Sequence, residues 1–356
     1  MGMIYDRCGE VKMDNCIVSV DKKEVSEYVK KRKIIVAIQR NSRGKCKQLA
    51  ILELLQLLQR YSPQYLVNGP LGDVKHAISF GLVYSYEDRN RLIKQLDGAG
   101  YTYKFYELCF DESIDGNADI KSINPFIWKG CAFSVRNLFF QDETKFRNQA
   151  ADKRDFKLLC GDGIVRTVKG YRGDGSEIGK RALAVEDCRV LMNLAVNENN
   201  EKFLDPFCGA GGIVYQVKNL YDDILVYSND VAAELEPGLT EYGAFHKVGL
   251  AEEFVSNVIF DSIATEIPFA ESATNGVLKG FENIMKYISE ECKIVIMVSE
   301  EQKDVIYKGL NSMNLYIGNV FNVNRKGTSV SIIIAFKNKN EQEKFKMIME
   351  RLKLIY

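Results

Sequence analysis

A chain of 356 residues, 46% hydrophobic and 27% charged, has material for more than one packed core, which excludes a disordered or fibrous protein. Lys+Arg and Asp+Glu number 48 each, so the formal charge is zero; this excludes a uniformly basic nucleic-acid coat while permitting a local patch. No run approaches the roughly 20 apolar residues of a membrane helix, and the polar, mixed-charge start from Met1 to Lys33 does not read as a signal peptide. The expectation is a cytoplasmic protein of two domains, with no membrane partner.

In chain order, Lys33 to Ile38 is apolar and β-rich. Cys46 to Tyr61 then places Ile51, Leu54, Leu55, Leu58 and Tyr61 on one helical stripe. Ala77 to Tyr86 predicts a strand, Glu87 to Leu96 a charged amphipathic helix, and Tyr101 to Phe110 an alternating strand with one face exposed. This order describes a small mixed sheet with helices on it. From Ile120 to Arg181 the composition changes: thirteen Lys and Arg stand against seven Asp and Glu, a net +6, with Phe126, Trp128, Phe133, Phe139, Phe140, Phe146 and Tyr171 interleaved. Such a segment suits a surface that grips phosphates and stacks bases, with Arg136, Lys153 and Arg154 as candidate contacts. An ordinary solvated face over core aromatics has the same composition.

Leu183 to Val196 begins a second unit with a helix. Lys202 to Leu204 is a strand, Ile213 to Asn219 a helix, and Ile224 to Tyr227 and Val258 to Ala264 are further strands. Lys293 to Val298 is apolar after its lysine, as in a strand buried on both faces of a parallel sheet. Tyr316 to Val323 and Ser329 to Phe336 flank a Gly-containing turn and predict a hairpin. The pattern is α/β, a mostly parallel doubly wound sheet with an antiparallel C-terminal hairpin. Three regions follow: 1–182, an N-terminal α/β substrate-binding region; 183–338, the doubly wound domain; and 339–356, a helix with Phe345, Ile348, Leu352 and Ile355 on one stripe.

Nine cysteines without a CxxC pair, and only two histidines, make a Cys/His metal centre improbable, so no metal is expected. The cysteines read as reduced, buried packing residues, Cys208 included. The sharpest signal is Phe203-Leu-Asp-Pro-Phe-Cys-Gly-Ala-Gly-Gly-Ile213, a strand running through a glycine turn into a helix. Such a turn lets the backbone approach a ligand and aims helix N–H groups at it. Neither GxGxxG nor the P-loop pattern is satisfied. Asp205, just before the glycines, would repel a pyrophosphate and suits a ligand that carries an ammonium group.

Asp205-Pro-Phe-Cys-Gly-Ala-Gly-Gly212 resembles the first motif of class I S-adenosylmethionine-dependent methyltransferases, in particular the Trm11/THUMP-type RNA guanine-N2 methylases. Leu191-Met-Asn-Leu-Ala195 is similar to that family's Leu-Val-Asn-Leu-Ala, and Ala132-Phe-Ser-Val-Arg136 weakly resembles a strand of its RNA-binding region. The resemblance implies a Rossmann-like methyltransferase domain, a THUMP-like N-terminal region, and S-adenosyl-L-methionine held by Asp205, Pro206, Phe207, Cys208, Gly209, Gly211 and Gly212. By the same resemblance Asp230 takes the ribose diol, although a helix N-cap explains it too. Glu252 is a candidate for the adenine, with a solvated helix face as the alternative.

Phe260-Asp-Ser-Ile-Ala-Thr-Glu-Ile-Pro-Phe-Ala270 is similar to the family's Phe-Asp-x-Ile-Val-Thr-Asp-Pro-Pro-Tyr-Gly. There the acidic side chain and the following carbonyl accept hydrogen bonds from the target amine, and the aromatic ring stacks on the base. Here those roles fall to Glu266, Ile267, Pro268 and Phe269. The fourth motif is therefore degenerate: Glu266 shifts the acceptor by about a bond length, and Ile267 removes a proline's rigidity. The expected acceptor is an exocyclic base amine in RNA, with tRNA guanosine N2 favoured. A small-molecule or peptide acceptor, and a non-catalytic cofactor-binding protein, are the alternatives. The oligomeric state is not legible.

Overall fold

The apolar runs of the second half become the middle of a seven-stranded sheet. In the computed structural model the described residues are 16–20, 24, 34–39, 46–69, 77–85, 87–108, 155–159, 165–169, 183–197, 201–241, 243–325 and 328–354. The N-terminal elements are β1 (Ile17–Ser19), β2 (Ile34–Gln39), α1 (Lys47–Leu57), β3 (Gln64–Val67), β4 (Ala77–Gly81), α2 (Arg89–Asp97) and β5 (Thr102–Leu108). Their five strands form a mixed sheet in the order β1-β3-β4-β2-β5, with only β1 and β3 parallel. A separate antiparallel pair, β6 (Asp155–Leu159) and β7 (Val165–Lys169), follows.

Two expectations change here. The strand from Ala77 ends at Gly81 rather than at Tyr86. Helix α1 stops at Leu57, and its buried residues run Leu49, Ala50, Ile51, Leu52, Glu53, Leu54, Leu55 and Leu57. That is nearly its whole circumference rather than one stripe, because α1 is sandwiched between its own sheet and α3 (Val185–Ala195).

The second unit continues with β8 (Lys202–Asp205), α4 (Gly212–Leu220), β9 (Leu225–Asp230), α5 (Glu236–Glu241), β10 (Phe245–Val248), β11 (Phe260–Glu266), α6 (Thr274–Ile284), β12 (Ile288–Ser299), α7 (Lys303–Ser312), β13 (Tyr316–Arg325), β14 (Thr328–Phe336) and α8 (Lys339–Lys353). The sheet order is β10-β9-β8-β11-β12-β14-β13. Its first five strands are parallel, while β14 pairs antiparallel to both β12 and β13. This is the Rossmann-like architecture of class I methyltransferases, reversed hairpin included.

The order runs outward in both directions from β8 and β11. Connections from these two strands leave to opposite sides, which opens a crevice beyond their carboxyl ends. Ile263 and Ala264 of β11, and Ile294, Val295, Ile296, Met297 and Val298 of β12, are completely buried. Each large aliphatic side chain of this kind contributes roughly 1.5–3 kcal/mol by leaving water. The strand ends that line the crevice therefore rise from a fully buried, packed stretch of the sheet. Helix α8 closes the far edge: Gln342 Nε2 donates to the Ile317 carbonyl at 2.7 Å, and Phe345 packs on Phe336 with centroids 5.3 Å apart. Among the described residues no helix is long and apolar enough to cross a membrane.

Candidate active site

Strand β8 delivers Asp205 to the crevice, and the chain must then turn at once. The carboxyl is buried, and Thr265 Oγ1 on neighbouring β11 donates to its Oδ1 at 2.7 Å. Burial pushes the Asp205 carboxyl up to about 8, against hydrogen bonds from Thr265 and the Phe207 N–H that favour the ionised form. The negative charges of Asp230 and Glu266 push in the same direction as burial, so Asp205 senses both neighbouring carboxyl groups. They stand at the ends of β8, β9 and β11, side by side at the switch point. Among the described residues no cluster of three or more acidic, Cys or His side chains could hold a metal ion.

The turn is held by its own backbone and by Asp230. Gly209 donates its N–H to Asp230 Oδ2 at 2.7 Å, and Ala232 donates to Oδ1 at 3.0 Å. The second bond closes an Asx turn rather than the helix N-cap named as the alternative for Asp230, since the 3-10 turn that follows is capped at Ala232 without a side-chain bond. Each carboxylate oxygen keeps a lone pair for a further donor, so these turn bonds and hydroxyl binding are compatible. Gly209 (φ +48°) and Gly211 (φ +76°) occupy the left-handed region, and a Cβ on Gly209 would meet nothing within 4 Å. The space above Gly209 is open, as a ligand cradle requires.

Not every residue of the turn faces that cradle. A Cβ on Gly212 would lie 2.8 Å from Cys188 Sγ, so this glycine lets α4 pack on α3 rather than accommodating a ligand. The Phe207 ring turns down into the core, edge-on to Phe281 at 5.6 Å, which leaves only its N–H, bonded to Asp205, at the turn. Pro206 is buried, and its carbonyl accepts from Asn229 Nδ2 at 3.3 Å. Cys208 is a buried packing residue whose thiol is pushed well up by burial. Its Sγ lies 3.9 Å from His246 Nδ1, which also meets Ser228 Oγ at 2.9 Å.

Glu252 is exposed on a short 3-10 turn after β10, beyond the carboxyl end of the third parallel strand. Asn229, a residue the motif comparison passed over, stitches these loops together: its Nδ2 also donates to the Gly249 carbonyl at 3.0 Å. Its position within Tyr227-Ser-Asn-Asp230 was the available signal.

After β11, Glu266 is half-buried and Ile267 is 1% exposed. The expected loss of rigidity at Ile267 does not follow. Ile267 donates its N–H to the Met297 carbonyl at 3.1 Å, a ladder bond that a proline could not make. Pro268 is exposed, and Phe269 is half-buried against the main core. Gln302, at the start of α7, donates from Nε2 to the Pro268 and Ala270 carbonyls at 2.9 and 3.2 Å. A single buried polar residue between Glu301 and Lys303 gave the sequence no signal for this. Arg136, Lys153 and Arg154 lie outside the described residues, as does most of the 120–181 segment.

No family model matches the chain, and no curated protein does. Solved structures do resemble it. TrmN from Thermus thermophilus is 12% identical, with 85% of this chain and 99% of that one covered and a TM-score of 0.45. A TehB-like SAM-dependent methyltransferase from Corynebacterium glutamicum is 18% identical over 39% of this chain and 81% of that one, at 0.34. A ribosomal protein L11 methylase from Lactobacillus delbrueckii subsp. bulgaricus is 16% identical over 42% and 76%, at 0.35.

Proposed function

We propose that the chain is an S-adenosyl-L-methionine-dependent methyltransferase whose acceptor is an exocyclic base amine of RNA, with tRNA guanosine N2 favoured. The observation that carries the cofactor reading is the trio of Asp205, Asp230 and Glu266 around an open glycine cradle at the switch point. A phosphate-bearing dinucleotide would be repelled there, whereas a nucleoside carrying ammonium and sulfonium charges is drawn in. When bound, the cofactor supplies a sulfonium methyl: the acceptor nitrogen forms the new N–C bond as the C–S bond breaks, and the electron pair stays on sulfur.

In this reading Asp205 holds the amino-acid end of the cofactor and Asp230 the ribose hydroxyls. Glu266 accepts a hydrogen bond from the target amine and takes its proton as the bond forms. The Ile267 carbonyl holds the amine's other hydrogen, and Phe269 offers a ring for stacking. Such a transfer needs positioning and exclusion of water more than acid–base strength. The basic, aromatic 120–181 segment supplies the grip on RNA.

One observation favours a small-molecule or peptide acceptor instead. The loops leaving β8 to β12 on the crevice side, residues 205–211, 230–235, 249–254, 266–273 and 300–302, hold nine carboxylates and no Lys or Arg. A polyanion gains nothing from that face. The deciding experiment incubates the protein with methyl-labelled cofactor and bulk tRNA. Label in the nucleic acid supports RNA; label confined to a protein or low-molecular-weight fraction removes RNA and keeps the enzyme. No measurable affinity for the cofactor or its demethylated product overturns the whole reading.

A further inference from the structure

We propose that Gln302 is a positioning residue that clamps the loop after β11, so that Glu266 and the Ile267 carbonyl are presented to the acceptor in one fixed arrangement. The inference rests on the methyltransferase reading, and its physical basis is independent of the acceptor's identity. Gln302 is 1% exposed and stands where α7 begins. Its Nε2 lies within hydrogen-bond reach of three acceptors, Pro268 O at 2.9 Å, Thr274 Oγ1 at 3.1 Å and Ala270 O at 3.2 Å. Its Oε1 accepts from Ser299 Oγ at 3.2 Å, and Ser299 Oγ in turn accepts the Gln302 N–H at 3.3 Å. The serine on the Oε1 side and the two carbonyls on the Nε2 side fix which way the amide points.

The loop is thus pinned twice. On one side Ile267 bonds Met297 of β12, and on the other Gln302 holds the carbonyls of Pro268 and Ala270. The peptide between Ile267 and Pro268 has little freedom left between these anchors. Rigidity that the related motif draws from a second proline ring comes here from one ladder bond and one buried amide. A filler for the space beside Thr274 need not be polar. A buried amide whose donors are spent on two loop carbonyls is suited to fixing the direction of those carbonyls.

Two variants test this: Gln302→Met, which keeps length and volume and removes the donors, and Gln302→Glu, which sets a carboxylate against two carbonyls. Hydrogen exchange, affinity for S-adenosyl-L-methionine and single-turnover methyl transfer to bulk tRNA are measured for each. Gln302→Met should speed exchange of the amides from Ile267 to Ala273 by tenfold or more and bind cofactor within about twofold of wild type. It should lower transfer on the order of 10²-fold, the cost of a misplacement near 1 Å. Gln302→Glu should regain transfer relative to wild type as the pH falls, because the protonated carboxyl recovers one donor for the Pro268 carbonyl. Wild-type exchange at residues 267–273 in Gln302→Met, or a parallel loss of cofactor affinity and transfer, overturns the proposal. Absence of cofactor binding in the unaltered protein instead defeats the methyltransferase reading, and the exchange data still decide the clamp.

Discussion

Asp205 carries the sharpest consequence of burial for a single group. Its carboxyl is raised from 3.8 to about 8, so between those values the folded chain holds a proton that the unfolded chain has released. The associated stability is complete below about pH 4 and is lost as pH rises through about 8, with a slope of at most about 1.4 kcal/mol per pH unit. Urea titrations from pH 5 to 8 should show this decline in the wild type and a flatter profile in Asp205→Asn. Cofactor binding should follow the opposite course. An ammonium group needs the carboxylate, so affinity should rise with pH towards 8, at most tenfold per unit, and calorimetry should find a weaker rise in Asp205→Asn. Identical pH dependence in the two proteins would remove Asp205 from the cofactor site. The acid itself was legible, since a carboxylate before a glycine turn repels phosphate. Its protonation was not, because burial is what raises the carboxyl, against the Thr265 hydrogen bond, and that burial comes only once β8 pairs with β11, 60 residues further along the chain.

The glycine turn shows at the level of elements why a motif overstates what a ligand needs. Three glycines in one pattern looked equivalent, and spacing alone offered no way to separate them. Gly209 is open and left-handed, whereas Gly212 is required by the contact of α4 with Cys188 on α3. Gly212→Ala should therefore destabilise by about 1–3 kcal/mol through overpacking, and Cys188→Ala should recover much of that loss in a double-mutant cycle. Gly209→Ala should cost about 1–2 kcal/mol of backbone strain that Cys188→Ala does not relieve, and should weaken cofactor binding besides. Thermal denaturation of the three single and two double variants separates the two glycines; equal rescue of both by Cys188→Ala would contradict the assignment. The same lesson governs which elements the sequence revealed. β12 and the hairpin were legible because their apolar runs are buried whichever way the chain turns. β3 and β10 were not: each is a strand of four residues. β10 lies at the sheet edge with mostly exposed side chains, so it has no alternating apolar signature to read.

Across the whole molecule, the division expected near residue 182 is bridged by one buried network. Glu53 of α1 accepts from the Gly100 N–H at 2.5 Å, the Tyr101 N–H at 2.9 Å and Asn193 Nδ2 of α3 at 2.8 Å. Arg189 of α3 donates to the Ala99 carbonyl at 3.3 Å and to Gln216 of α4 at 2.9 Å, so the network reaches the helix that leaves the glycine turn. The Asn of the Leu-Met-Asn-Leu-Ala run was visible in the sequence, but nothing in the apolar stripe of Cys46 to Tyr61 singled out Glu53 as its partner. Burial raises Glu53 to about 7 against those three donors, so its share of stability is lost as pH rises through about 7. Glu53→Gln should abolish that dependence and cost about 1–3 kcal/mol by turning an amide N–H towards buried donors. Calorimetry should show a single transition for wild type, since one hydrophobic core runs through both sheets.

The larger question at this scale is how a chain of zero net charge would hold RNA against a crevice face bearing nine carboxylates. Under the RNA proposal charge segregation would answer it: the net +6 segment would grip the phosphates, and only the target base would enter the acidic site. Arg136→Glu combined with Lys153→Glu should then weaken tRNA binding and flatten its salt dependence. Glu252→Gln combined with Glu301→Gln should strengthen tRNA binding at low salt without steepening that dependence, because removing repulsion adds no phosphate contact. Filter binding between 50 and 200 mM salt measures both slopes. Unchanged slopes in the basic-segment pair, with transfer retained to a peptide or small molecule, would reassign the acceptor to the class that the acidic face favours.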